Sequence, residues 1–102
     1  MHLVQILLPL HDNEGRLFNR KVFERIRDEL TERFGGLTAY SRTPAEGVWK
    51  QSSARTNEDQ VVVYEVMVDA VDRTWWGEYR QRLEQELAQE QVIIRASPFD
   101  LL

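Results

Sequence analysis

The chain has 102 residues, with 13 lysines and arginines against 17 aspartates and glutamates, and its net charge is −4. Basic and acidic residues are interleaved, so the concentrated positive surface that nucleic-acid or membrane-surface binding needs is not expected. Because the chain has no cysteine, disulfides, thiolate metal sites and cysteine nucleophiles are excluded. The length predicts one domain that spans residues 1–102.

The first apolar run, residues 3–10, is too short to cross a bilayer and lacks the basic region and cleavage site of a signal peptide. It predicts a strand over residues 2–8 that ends at Pro9, which cannot donate to a central ladder. A cytoplasmic protein is therefore expected.

Helical spacing of apolar residues begins after a polar connection. It predicts a first helix from residue 17 or 18 to residue 34, with Asn19 as a candidate N-cap. Gly35 and Gly36 end this helix because glycine enters the left-handed cap conformation at little cost. Alternation over residues 37–42 then predicts a second strand.

The middle of the chain is polar and rich in turn residues. Residues 48–50 are compatible with a short strand continuation, and residues 51–58 with a polar loop. The run Val61–Val68 predicts a third strand, since it is rich in β-branched residues.

A second helix is predicted from residue 72 or 73 to residue 89 or 90, with Asp72 or Thr74 as its cap. Residues 91–96 predict a fourth strand that Pro98 ends. The element order is therefore β-α-β-β-α-β, which is typical of the split βαβ or ferredoxin-like unit. This predicts an α+β fold with a four-stranded antiparallel sheet, the first and third strands at its centre, and both helices on one face.

Both helices carry one apolar stripe of the same spacing, which each would bury against the sheet. The stripes are Phe23, Ile26, Leu30 and Phe34 in the first helix, and Trp76, Tyr79, Leu83 and Leu87 in the second.

The face of the sheet opposite the helices, called here the second face, is also apolar on both central strands. A strand with one wet face would alternate apolar and polar residues along its length. The apolar residues assigned to the second face are Leu3, Leu7, Val61, Val63, Met67 and Ile93. Soluble monomers rarely expose such a patch, so we expect a second copy to cover it, sheet against sheet.

This order of elements and two-sided strand pattern resembles the dimeric α/β-barrel group, small ferredoxin-like proteins whose open sheets face each other in a homodimer. The resemblance spans essentially the whole chain. It implies a homodimer, and the group includes cofactor-independent monooxygenases, isomerases of small cyclic acids, haem-dependent or haem-degrading enzymes, and stress-responsive proteins. Fold alone does not choose among these activities.

Five polar residues fall on the second face among apolar neighbours, and they are Gln5, Tyr40, Arg42, Glu65 and Arg95. In one hypothesis they line a ligand cavity, where the arginines hold an anionic or carbonyl-bearing molecule and Glu65 or Tyr40 handles a proton. Met67 and Trp49 would then supply apolar walls. In the other, Glu65 pairs with an arginine on a neighbouring strand, and the polar groups only fix the register of a dimer.

His11 is a further candidate for proton transfer, with Asp12 and Glu14 beside it after the first strand. Their spacing on one loop matches no known metal site, so no metal is predicted. No cofactor is predicted either, because the chain has no glycine-rich phosphate loop. Trp76 is expected in the core, and Trp75 at the edge of a pocket or a subunit contact.

Two functions remain open. One is a small homodimeric protein that binds a small organic molecule, and whether it is also a cofactor-independent enzyme of the monooxygenase or isomerase type is left open by the sequence. The other is a non-catalytic interaction or assembly module, in which the polar sheet residues serve only the dimer register.

Overall fold

A computed structural model of the chain describes residues 1–42 and 61–102, and of residues 40–42 it describes only the backbone. Its elements are β1 (His2–Pro9), α1 (Arg20–Phe34), β2 (Thr38–Arg42), β3 (Val61–Val68), α2 (Arg73–Glu86) and β4 (Ile93–Pro98). The predicted segments over residues 48–50 and 51–58 lie outside the described residues.

The four strands form one antiparallel sheet in the order β2-β3-β1-β4. The prediction that β1 and β3 lie at the centre is confirmed. The α+β architecture, with four antiparallel strands and two helices, is compatible with a ferredoxin-like fold.

Helix α1 begins two to three residues later than predicted because Asn19 is its N-cap. The Asn19 side chain accepts a hydrogen bond from the backbone N–H of Lys21 at 2.9 Å, which satisfies one of the unpaired donors of the first turn. At the other end Gly35 adopts φ 79°, and its N–H donates to the carbonyl of Thr31. The predicted glycine stop is confirmed at Gly35.

Helix α2 begins after Asp72, whose carboxylate accepts from the backbone N–H of Trp75 at 3.0 Å. It ends at Glu86, earlier than predicted, since Ala88 lies at φ 53° and the chain leaves the helix there. The apolar spacing up to Leu87 gave no sign of this turn.

Strand β4 covers residues 93–98, so the predicted range of 91–96 was wrong at both ends. The N–H of Val92 donates to the Glu84 carboxylate, and Val92 lies outside the ladder. Pro98 is the last strand residue and pairs with His2. A proline is tolerated there because β4 is an edge strand, where the missing N–H faces no neighbouring strand.

The core lies between the sheet and the two helices. Both predicted stripes face it: Ile26, Leu30 and Leu83 are fully buried, and Trp76 and Tyr79 are 5% exposed. Phe23 and Phe34, the two ends of the first stripe, are partly buried against this core. Their partners on the sheet include Val4, Ile6, Leu8, Tyr64 and Val66. Since alternate residues of a strand share a face, both helices pack on the same side of the sheet, as predicted. No helix within the described ranges is long and apolar enough to cross a membrane.

Candidate functional site

The second face of the sheet carries a row of polar residues that crosses its middle. Gln5 on the central strand β1 is paired with Glu65 of β3 on one side and with Arg95 of β4 on the other. Thr38 of β2 pairs with Glu65 at the far end of the row. Three of the five predicted polar residues therefore lie side by side.

Hydrogen bonds join these three side chains into what is called here the polar ladder: Gln5, Glu65 and Arg95. The Nε of Arg95 donates to the Oε1 of Gln5 at 2.8 Å. The Nε2 of Gln5 then donates to the Oε2 of Glu65 at 2.5 Å. Gln5 suits the middle position because its amide is both an acceptor and a donor. The ladder thus connects a cation and a carboxylate on the two strands that flank β1.

The other two predicted polar residues, Tyr40 and Arg42, pair through their backbones with Val63 and Val61. That register assigns both positions to the second face, as expected from strand alternation. Trp49, which was predicted as an apolar wall of the site, lies outside the described residues.

The apolar part of the second face is less exposed than the sequence predicted. Met67 is 54% exposed and Ile93 47%, whereas Leu3 and Leu7 are half-buried. Val63 was expected in the exposed patch, but it is fully buried. The exposed apolar surface is therefore concentrated at Met67 and Ile93.

A cleft of about 320 Å³ adjoins the ladder where α1 ends and β2 begins, a size at the lower end of known small-molecule sites. Its described lining is Leu3, Phe34, Gly35, Gly36, Leu37, Thr38, Glu65, Val66 and Met67. Glu65 is the ionisable residue among them. A carboxylate beside apolar walls can accept a hydrogen bond or a proton from a bound molecule. We call this space the Glu65 cleft.

The loop after β1 holds Asp12 in a structural role. Its carboxylate accepts from the backbone N–H groups of Glu14 and Arg16, each at 2.9 Å, and from the Arg16 Nε at 3.3 Å. The hydrogen bond from the Arg16 backbone is the main reason that the pKa of Asp12 is lowered. Asp12 and Glu14 are thus engaged with Arg16, which also pairs with Glu14.

His11 forms an isolated bridge with Leu17 in the same loop. Its Nδ1 is buried and has no hydrogen-bond partner in the described part of the chain. Within that part, no hydrogen bond or ion pair joins His11 to the polar ladder. Its predicted role in proton transfer therefore gains no support from a shared site with Glu65.

Sequence reasoning did not locate two further clefts on the helical side. One, of about 660 Å³, lies between α1 and α2 and is lined in part by Trp75 and Tyr79. The two rings stack with centroids 4.9 Å apart, and the Arg33 guanidinium lies over Trp75 at 4.2 Å. Trp75 was expected at the edge of a pocket or a subunit contact, and it lines this cleft. The sequence signal for the cleft was the position of Trp75 on α2 beside the apolar stripe.

The other cleft, of about 260 Å³, lies between α2 and β4. Arg73 and Arg80 line it from the helix, and Arg95 from the strand. The helical spacing of Arg73, Gly77 and Arg80 was the signal for a shared face on α2. The closeness of that face to β4 depends on the packing of the helix on the sheet.

No known protein family, curated protein or solved structure matches this chain. A function has to be argued from the geometry of the clefts and the ladder.

Proposed function

We propose that this chain is a small homodimeric protein that binds a small organic molecule in the Glu65 cleft. The observation that carries the proposal is the carboxylate of Glu65 at the edge of a 320 Å³ cleft with walls from Phe34, Leu37 and Met67. Small-molecule sites typically combine such apolar walls with a few polar groups that orient the ligand. Glu65 is fixed on a central strand and by its hydrogen bond from Gln5.

The chemistry of the cleft selects for a ligand with a compact apolar body and one hydrogen-bond donor or cationic group. The donor would face Glu65, and the apolar body would replace water along Phe34 and Leu37. If the bound molecule has an acidic C–H or O–H at that position, Glu65 is the group that would accept its proton. Such a step is the one that a cofactor-independent isomerase or monooxygenase requires.

The homodimer in this proposal forms through the second face. Met67 and Ile93 are the exposed apolar side chains there, and the ladder places a cation at one end and a carboxylate at the other. A two-fold axis parallel to β1 through Gln5 would bring Arg95 over Glu65 of the partner subunit. Charge complementarity of this kind favours one orientation of the two sheets, since an axis across the strands would place like charges together.

The second candidate is an assembly module without a ligand, which is favoured by one observation. Both polar groups of the Gln5 amide are used within the ladder, one towards Glu65 and one towards Arg95. A satisfied polar row on an otherwise apolar face is well suited to fixing the register of a dimer. In this candidate the Glu65 cleft would hold only water.

Titration with benzylamine, followed by amide NMR shifts, tests ligand binding. Benzylamine combines a small ring with one cation, and wild-type protein should bind it with shifts centred on residues 34–38 and 65–67. In Glu65→Gln we expect binding about tenfold weaker, as for the loss of a charge-assisted hydrogen bond. Glu90→Gln removes the same charge from an exposed position outside the clefts and should bind normally. Equal affinities in the two variants would leave the assembly module as the better function.

Sedimentation equilibrium at low micromolar concentration tests the dimer. Wild-type protein should sediment as a dimer, and Met67→Asp as a folded monomer, because a charge at a buried apolar interface is unpaired. Leu17→Asp is the matched control, since Leu17 is 69% exposed in the loop before α1 and away from the second face. A well-folded wild-type monomer would overturn the dimer.

A further inference from the structure

We propose that the cleft between α2 and β4 is a separate binding site for a small organic carboxylate. It has a volume of about 260 Å³ and apolar residues in its lining, among them Val4, Val71, Trp76 and Ile94. We call it the arginine cleft, after the three arginines that also line it. The proposal does not rest on the function of the Glu65 cleft, which has the opposite charge.

The charged residues among the described lining are all arginines: Arg73, Arg80 and Arg95. The cleft is therefore lined by positive charge, although the net charge of the whole chain is −4. Arginine is the side chain best suited to carboxylates, because its planar fork can donate two parallel hydrogen bonds to the two oxygens. A cleft lined by several of them therefore favours an anionic ligand.

The three arginines differ in the hydrogen bonds that they already make within the protein. Arg80 donates through Nη1 to Glu84 at 2.8 Å and keeps further N–H donors, since a guanidinium has five. Arg95 belongs to the polar ladder on the second face, where its Nε donates to Gln5 at 2.8 Å, so its guanidinium is not a donor of this cleft. Arg73 makes no hydrogen bond or ion pair within the part of the chain that the structure describes. Arg73 is thus the principal anion-binding group of the cleft.

Gly77 supplies a second, independent observation. It lies between Arg73 and Arg80 at helical spacing and lines the same cleft. Glycine inside a helix is destabilising relative to alanine, so a packing reason is normally expected for it. Here a Cβ at Gly77 would meet no atom within 4 Å. The residue is therefore not required by packing, and its effect is to leave the floor of the cleft open.

The apolar lining distinguishes a carboxylate with a hydrocarbon body from a free inorganic anion. Phosphate or sulfate would meet the arginines but leave the exposed parts of Val71 and Ile94 in water. A planar or branched hydrocarbon group would cover the exposed parts of Val71 and Ile94 while its carboxylate faces Arg73. A compact aryl or branched aliphatic acid is the class that fits both parts.

Titration of wild-type protein with benzoate tests the site, with the amide of Gly77 and the indole N–H of Trp76 as NMR probes. We expect saturable shifts at both probes at concentrations up to about 10 mM, and binding about tenfold weaker in Arg73→Met. Arg27→Met is the matched control, because Arg27 is an exposed arginine of α1 outside the cleft. It should bind benzoate within about twofold of wild type.

Gly77→Ala separates the cleft from the stability of the helix. The added methyl group should raise the midpoint of thermal unfolding by about 4 to 8 °C and weaken benzoate binding about fivefold or more. Arg73→Met should leave benzylamine binding at the Glu65 cleft unchanged, so that failure here and failure of the proposed function are distinguishable.

Three results would overturn the proposal. One is the absence of saturable shifts with benzoate. Another is equal weakening in Arg73→Met and Arg27→Met, which would show a nonspecific effect of net charge. The third is inorganic phosphate binding as tightly as benzoate, which would make the site an anion site without a preference for a hydrocarbon body.

Discussion

The hydroxyl of Tyr79 on α2 donates a hydrogen bond of 3.0 Å to the Oε1 of Glu29 on α1 and so joins the two helices. The same carboxylate oxygen accepts from the Arg82 guanidinium at 2.9 Å, and Oε2 accepts from Arg25 at 3.2 Å. Glu29 is thus the shared acceptor of one tyrosine and two arginines. The Tyr79 ring is 5% exposed, so its hydroxyl needs this partner.

Replacement of Tyr79 by phenylalanine should keep the ring packing and remove the hydrogen bond. We expect the free energy of unfolding to fall by about 1 kcal/mol, the usual net value of such a bond. Urea unfolding of Tyr79→Phe, Glu29→Ala and the double variant gives the coupling between the two groups. Additive effects of the two substitutions would contradict a direct contribution of this hydrogen bond.

The stability of the protein should fall at alkaline pH. Burial raises the pKa of Tyr79 well above its usual value of 10.0, and the nearby Glu29 carboxylate raises it further. Burial also raises the pKa of Tyr64. Above pH 10 the unfolded chain loses these protons while the folded chain keeps them, so unfolding becomes easier as pH rises.

The expected slope is up to about 1.4 kcal/mol per pH unit for each such tyrosine. Below pH 10 this contribution is fully present, so these two tyrosines should not change the free energy of unfolding with pH there. Unfolding by urea between pH 8 and pH 11 measures it, since this range begins about two units below the usual tyrosine pKa and ends about one unit above it. Tyr79→Phe should have the shallower slope above pH 10, and an unchanged slope would contradict the assignment.

Glu84 should contribute to stability at neutral pH and lose that contribution in acid. Its carboxylate accepts from the N–H of Val92 at 3.0 Å and from Arg80 at 2.8 Å. The backbone hydrogen bond from Val92 is the main reason that its pKa is lowered from the usual 4.5. Because the unfolded chain takes up the proton first as pH falls, stability is present above the usual pKa and is lost below it.

Thermal unfolding of wild type and Glu84→Gln between pH 7 and pH 3 measures this effect, because the range extends about two units to either side of the usual carboxyl pKa. The variant should be less stable at pH 7 and should lose less stability on acidification. Glu90→Gln, at an exposed position, should follow the wild-type curve. Parallel curves for wild type and Glu84→Gln would show that the contact with Val92 adds nothing.

The two adjacent glycines after α1 should respond differently to alanine. Gly35 lies at φ 79°, where a Cβ costs about 1 to 2 kcal/mol, whereas Gly36 lies outside the left-handed region. A Cβ at either position would meet no atom within 4 Å. Gly35→Ala should therefore destabilise the protein, and Gly36→Ala should be neutral or stabilise it by about 0.5 kcal/mol. Chemical unfolding of both variants decides this, and equal effects would contradict the cap.

Much of the fold could be predicted, because the spacing of apolar residues along the chain indicates the helices and strands and their buried sides. The stripes through Leu30 and Leu83 indicate which side of each helix is buried, and the β-branched residues predict the strand Val61–Val68 with the bounds that the structure has. The boundaries after Glu86 and before Ile93 could not be predicted. They depend on the turn at Ala88 and on the contact between Glu84 and Val92, which join residues of different elements.

The sequence by itself determined the alternation that puts Gln5, Glu65 and Arg95 on one face, because strand residues two apart share a side. The tertiary structure alone decided that these three stand in register and form one ladder, since register is set by the pairing of β1 with β3 and β4. It also decided where the clefts lie. A cleft is a space between elements, and the distance between α2 and β4 follows from packing, which no local pattern contains.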